Sequence, residues 1–328
     1  MAALSGPVRG SWIKRIGSLF GRVSGSVAGA PAPIASAPGA SIVEPAAQTL
    51  PPVETDIRLP LFCWLVGTPS PLDAAMAVDE QRLLLRLDAK LADEAALATL
   101  LPRAPSVVPR LMSSLRDDSQ SIRALSEQVA KDPLLVAEVT RLANSVLHAS
   151  HDPVRDLAQA IARLGTAGLR RAIARVVLRP IFDSRADTLT GRSAARLWLH
   201  SESKAAECMR LAATAGLDPF EGYLAGLMHN IGWSAGLRAI DQCLGGIVPA
   251  HFSHAFVLAF ERRRDLFFAS IVAPWQITET LTALALESLA GGLGATRSAL
   301  GQTLQRADRH ASMAMLGFID PAPRSTST

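Results

Sequence analysis

Aromatic residues make up 5% of this 328-residue chain, and Tyr223 is its only tyrosine. Sheets draw on β-branched and aromatic side chains, so an all-β fold is excluded. Packing must rest on Ala, Leu, Val and Ile at helical spacing. Cysteine is sparser still. Cys63, Cys208 and Cys243 are odd in number and lack the close pairing of a zinc ribbon or a redox motif. They read as reduced thiols of a cytoplasmic protein. No apolar run of about 18–20 residues occurs, because His229, Asn230 and several glycines break the best candidate, so a spanning helix is not expected. Also missing are a G-x-S-x-G nucleophile turn, a glycine-rich phosphate loop and a 20–50-residue repeat.

What is present is a chain with 49% hydrophobic and 19% charged residues, long enough to fold without disulfide staples. The net charge of +4 is a mild, dispersed surplus that does not point to nucleic acid. From Ala30 to Pro52 the sequence is rich in Pro, Ala, Ser and Gly with almost no charge, the composition of a flexible linker. Ahead of it, Trp12, Ile13, Ile16, Leu19, Phe20 and Val23 recur at helical spacing among Lys14, Arg15 and Arg22. This pattern fits a short amphipathic helix able to touch a membrane surface weakly. Residues 1–58 are therefore read as a disordered tail and linker, and 59–100 as a short leading α-rich segment. Within that segment the apolar run Leu59–Gly67 is expected to be a strand or an extended piece. A helix follows, with Leu83, Leu84, Leu87 and Leu91 on one stripe.

Helices then come in quick succession. Val108, Leu111, Met112 and Leu115 mark one, Ser121 caps the next, and Asp132-Pro133 opens a third with a capping carboxylate and a proline at the first helical position. Leu157, Ile161 and Leu164 form the stripe of another, which is expected to end at Gly165. Its successor buries Leu169, Ile173, Val176 and Val177 and shows Arg170, Arg171, Arg175 and Arg179 before Pro180. Trp198, His200, Lys204, Ala205 and Met209 belong to a long helix, and Asp218-Pro219 repeats the cap-and-proline start. Glu261–Asp265 reads as a charged helix surface.

The order of these signals carries a resemblance. Leu101–Leu115, Lys131-Asp132-Pro133, Arg141-Leu142-Ala143-Asn144-Ser145 and the segment from Ala160 to Gly165 come first. Trp198-Leu199-His200-Ser201 and the segment from Tyr223 to Gly232, with His229-Asn230 inside it, follow. Together they resemble the HDOD family over about residues 100–290, with weaker matches at Ser253-His254-Ala255 and Pro274-Trp275-Gln276-Ile277. The resemblance implies an all-α, multi-helix HDOD/HD-like bundle over 101–290, leaving 291–328 as a C-terminal helix and tail. It also implies a bacterial signal-transduction protein related to the HD phosphohydrolases, lacking their catalytic site and acting by binding a protein partner.

The residues bear on that chemistry directly. An HD-type hydrolase holds metal ions with histidines and an aspartate, and the metals lower the pKa of a water nucleophile. Here Asn230 stands where the motif requires aspartate, and a neutral carboxamide is a poor bridging ligand. No further histidine follows between Thr282 and Ser288. Catalysis and a cofactor are therefore not expected. Trp198, His200, His229, Asn230 and His254 are read as a relic polar pocket, in which His200, His229 and His254 would be the ligands of any single metal. His148 and His151 have i, i+3 spacing without a nearby carboxylate pair. Arg170, Arg171, Arg175 and Arg179 are candidates for contact with a partner or a phosphate. Two alternatives stand beside this reading: a residual metal-dependent nucleotide phosphohydrolase, and a nucleotide sensor that binds without cleavage.

Overall fold

The computed structural model describes residues 56–101, 122–130, 133–145, 154, 156–245, 247 and 249–319. The predicted amphipathic N-terminal helix, the linker, the helix around Val108, the Ser121 and Asp132 caps, and the His148/His151 pair lie outside those residues. From Ile57 onward the described residues form one compact all-α unit. Its helices are α1 (Arg58–Val66), α2 (Val78–Leu91), α3 (Glu94–Thr99), α4 (Ile122–Ala130), α5 (Pro133–Ser145) and α6 (Leu157–Leu178). Then come α7 (Leu189–Thr214), α8 (Pro219–His229), α9 (Ile231–Leu244), α10 (His254–Val272), α11 (Glu279–Gly291) and α12 (Ala299–Met315). Among the described residues the β pairing is a single isolated bridge, Leu72 to Ser253.

Local chemistry explains most boundaries. The side chain of Asp218 accepts from the Phe220 N–H at 2.8 Å with Pro219 at the first helical position, as the cap-and-proline pattern predicts. Within residues 157–178 the helix breaks at Gly165 (φ 60°, ψ −176°), the predicted end of one helix and start of the next. The N-terminus of α7 is capped from a distance: Asp241 of α9 accepts from Leu189 N (2.8 Å), Thr190 N (3.0 Å) and Thr190 Oγ1 (2.6 Å). That carboxylate satisfies donors that a helix start leaves unpaired and sits at the positive end of its dipole.

Two expectations are corrected. The apolar run at Leu59–Gly67 is helix α1, with Leu61, Phe62, Leu65 and Val66 buried and Gly67 (φ 69°) returning its N–H to Cys63 O. Because the run is apolar on nearly every face, it carries no polar stripe to reveal its period. Phe62 meets Phe252, Phe260 and Trp233 at 5.3–6.2 Å between ring centroids, so several of the few aromatics gather in one cluster. Glu261–Asp265, expected on the surface, lies on α10, which is packed on most sides. Arg264 and Asp265 are 2% and 5% exposed, and Arg263 makes a bidentate pair with Asp88 at 2.6–2.7 Å.

Two glycines set how closely the central helices approach. A Cβ on Gly226 of α8 would stand 2.6 Å from Ala205 Cα of α7, and one on Gly232 of α9 would stand 2.2 Å from Arg264 O of α10. Only glycine permits these backbone contacts. They flank His229 and Asn230 and press α7 and α10 against that pair.

Candidate functional site

His229 ends α8 and Asn230 joins it to α9, and neither has any solvent exposure. Facing them from α7 are His200, Ser201 and Lys204, also fully buried. His200 and Lys204 are four residues apart and so share one face of the helix. From α10 comes Asp265, and from α12 come Asp308 and Ser312.

The centre of this cluster is the ammonium of Lys204. Its Nζ lies 2.9 Å from His229 Nδ1, 2.5 Å from Asn230 Oδ1 and 2.7 Å from Asp308 Oδ1, so each of its three protons has an acceptor. The rest of the network follows from that assignment. His229 accepts at Nδ1 and therefore donates from Nε2 to Asp265 Oδ1 at 3.2 Å. Asn230 turns its carbonyl to Lys204 and its Nδ2 to Ser201 Oγ (2.8 Å) and His200 Nδ1 (3.0 Å). His200 then donates from Nε2 to Ser312 Oγ at 3.1 Å, and Ser312 donates to Asp308 O at 2.6 Å.

Electrostatics agree with this pattern. Burial, reinforced by the Lys204 charge, pushes His200 down to about 3 and His229 to about 4, so both rings are neutral near pH 7. Burial also pulls Lys204 down, while Asp308 holds the proton on it. Against the cost of their burial, the Arg264 guanidinium holds Asp265 well below the usual carboxylate range, and Lys204 together with Arg264 does the same for Asp308. Arg264 reaches Asp265 Oδ1 at 2.7 Å and lies over the Trp233 ring at 5.4 Å. Arg264 also lies 3.7 Å from Glu261, which Arg58 approaches at 3.9 Å, so three cations stand against three carboxylates.

The predicted five-residue pocket does not assemble as one. His200, His229 and Asn230 come together. Trp198 faces away on the other side of α7, edge-on to Phe182 at 5.5 Å, with the Arg179 guanidinium 4.8 Å from its ring centre. His254 begins α10, eleven residues and about 16 Å of helix axis before Asp265. It is partly exposed, with Nδ1 3.4 Å from Asp73. The three-histidine metal set is therefore not brought together. Nor is the arginine series one solvated stripe. Arg175 pairs with Glu138 at 2.9 Å and with Glu202, Arg171 Nη1 lies 3.5 Å from Met209 Sδ, Arg170 is half-buried, and Arg179 is exposed. Glu138, Arg141, Arg175, Val176, Arg179, Trp198 and Glu202 line a cleft of about 270 Å³ that touches none of His200, Lys204, His229 or Asn230.

Sequence reasoning missed Lys204, Asp265 and Asp308 as members of the site. Lys204 carried a usable signal, its four-residue spacing from His200 on one helix face. Asp308 lies beyond the segment that carried the resemblance.

Residues 101–262 match the family model of the HDOD domain. The chain carries an HDOD domain. Similar solved structures include an HDOD domain protein with unknown function from Geobacter sulfurreducens, at 22% identity and a TM-score of 0.51, covering 76% of this chain and 83% of that one. Another is a putative metal-dependent phosphohydrolase from Shewanella amazonensis SB2B, at 18% identity and a TM-score of 0.54, covering 75% of this chain and 86% of that one. At these identities the likeness establishes a shared helical fold. No curated protein matches the chain. Asp265, Asp308 and Ser312 all lie C-terminal to the matched HDOD segment, so the polar network is completed from outside it.

The HD-like fold raises the question of a metal ion, and the residues do not fit one. The point on which His229, Asn230 and Asp308 converge is filled by the Lys204 ammonium, and one of its three acceptors is a neutral amide. Among the described residues no group of three or more His, Cys, Asp or Glu side chains has the geometry to hold a metal. No helix of the described residues is long and apolar enough to cross a membrane.

Proposed function

We propose that this HDOD protein is a bacterial regulatory protein of signal transduction that works in the cytoplasm by binding another protein and has no hydrolytic activity of its own. One observation carries the reading. The His229-Asn230 pair, at the place where an HD hydrolase would use histidine and aspartate to hold metal ions, is sealed from solvent, and its polar atoms are taken up by neighbouring side chains. A pair so committed has no donor or acceptor left for a substrate.

Binding has a surface to use. The cleft beside α7 sets Arg179 over the ring of the buried Trp198, and a stacked arginine contributes strongly to contact energy when a partner desolvates it. Arg179 is exposed there, while Arg175 is already neutralised by Glu138 and Glu202. The cleft therefore suits a partner that brings a carboxylate.

The test has two parts. Purified full-length protein is assayed against phosphomonoester, phosphodiester and nucleotide substrates with Mg²⁺, Mn²⁺, Fe²⁺ or Zn²⁺ added, and rates at background are expected. Turnover abolished by His229→Ala would overturn the non-catalytic reading. Partners recovered from a bacterial extract by the wild-type chain are then compared with those recovered by Arg179→Ala. A specific partner lost only in the variant is expected; identical recovery removes the cleft from the proposal.

A further inference from the structure

We infer that Lys204 is a cation tethered inside the protein in the place of a bound metal ion, and that through it helix α12 closes the site. Three acceptors from three separate segments, His229 Nδ1, Asn230 Oδ1 and Asp308 Oδ1, point at one position and lie 2.5–2.9 Å from what occupies it. One nitrogen and two oxygens converging from α8, the α8–α9 junction and α12 form a cation-binding geometry, and a primary ammonium satisfies it with one proton per acceptor. The lysine stem is fully buried on α7 beside Ala205 and Cys208, so the charge is delivered through the helix packing rather than from solvent.

The charge count supports the same conclusion. Lys204, Arg264 and Arg58 balance Asp265, Asp308 and Glu261, which lies 3.7 Å from Arg264 and 3.9 Å from Arg58, so a divalent ion added to the set would leave it with surplus positive charge in a buried site. Removing Lys204 reverses this. The three acceptors remain, the balance becomes negative, and the vacated position suits an oxygen- and nitrogen-liganded divalent cation. Exchanging Asn230 for aspartate as well supplies the second carboxylate such an ion prefers. The inference rests on the reading that the wild-type pocket is non-catalytic, but it concerns what fills the pocket, so its test uses cation binding and not turnover.

The experiment compares the full-length wild type with Lys204→Ala and Lys204→Ala/Asn230→Asp, with Mn²⁺ and Zn²⁺ alone as probes. Metal content per chain is measured after desalting, and the thermal midpoint with and without added metal. Wild type is expected to retain no stoichiometric metal and to show no shift. Lys204→Ala is expected to melt lower and to regain several degrees on metal addition, and the double variant to hold about one ion per chain with at least tenfold tighter binding. Lys204→Ala/Asp308→Asn, lacking the carboxylate, is expected to lose the response. If Lys204→Ala is unfolded alone, recovery of its helical circular dichroism on metal addition is the supporting outcome. As a second measurement on the intact wild type, a slowly exchanging ammonium signal in ¹⁵N-lysine NMR, absent from Lys204→Gln, is expected. Stoichiometric metal in the wild type, no response to metal in either alanine variant, or no protected ammonium would overturn the inference. Hydrolysis by the wild type without bound metal would contradict the functional reading and leave the lysine assignment standing.

Discussion

Lys204 and Asp308 are separated by 104 positions in the chain and by 2.7 Å in space. The pair joins the long helix α7 to the C-terminal helix α12. Neither partner has another counter-charge as close, since Arg264 Nη1 is 3.9 Å from Asp308 Oδ2. Truncating Asp308 to alanine leaves a buried ammonium with only neutral acceptors. Breaking a buried pair from one side costs about 3–5 kcal/mol, and Asp308→Ala is expected to lose stability on that scale. Arg309→Ala, at the exposed neighbouring position, should stay within about 0.5 kcal/mol of wild type. Urea denaturation of both variants checks this. Equal midpoints would show that Asp308 does not clamp α12.

The buried histidines make the fold sensitive to mild acid. His200 and His229 have folded values of about 3 and about 4, below their unfolded value near 6.5. Between those limits the unfolded chain binds more protons, so stability rises with pH and is lost as pH falls. By pH 5 each histidine accounts for a loss of roughly 2 kcal/mol relative to pH 8. Asp265 and Asp308, both depressed, contribute in the same direction, but only once the pH drops below about 4, where unfolded carboxylates protonate. Denaturation midpoints at pH 8, 6 and 5 should fall steadily. A flat profile would mean that the rings are not held neutral.

Much of the helix order was legible because it depends on local chemistry: the Asp218-Pro219 start, the break at Gly165 and the leucine stripe of α2 are decided within a few residues. The grouping of His200, His229 and Asn230 was implied by the resemblance of their two segments to the HDOD family. Three features were hidden for physical reasons. Helix α1 has no polar face to show a period. Arg264-Asp265 sits in a run of five charged residues that looks solvated until the packing around α10 is known. Lys204 and Asp308 are charged side chains whose burial makes sense only together, and nothing local links two positions so far apart.

Close helix contact at the two glycines should be intolerant of a single methyl group. Gly232→Ala places a Cβ 2.2 Å from Arg264 O, and Gly226→Ala one 2.6 Å from Ala205 Cα. Each substitution must move a helix and is expected to cost about 2–3 kcal/mol, as overpacking does. An alanine at Gly294, where nothing lies within 4 Å, should be close to neutral. Thermal melts of the three variants decide it. A Gly232→Ala variant as stable as Gly294→Ala would show that α9 and α10 do not touch as described.

Asn230→Asp tests whether the amide is an eroded aspartate or a working part of the network. Its Nδ2 donates to Ser201 Oγ and His200 Nδ1, and a carboxylate has no proton to give either one. To keep the contact, His200 must move its ring proton from Nε2 to Nδ1. That turns its donation to Ser312 into an acceptance and competes with the Ser312 bond to Asp308 O. The substitution also adds a buried carboxylate to a set whose charges are already balanced. Restoring the acidic residue alone should therefore destabilise the protein by about 1–3 kcal/mol, the cost of unsatisfied buried groups, while creating no hydrolytic activity. The two readouts are a denaturation curve and a phosphodiesterase assay with added Mn²⁺. A variant at least as stable as wild type, or one that turns over substrate, would show that Asn230 is not fixed by its donors and that Lys204 does not exclude the metal.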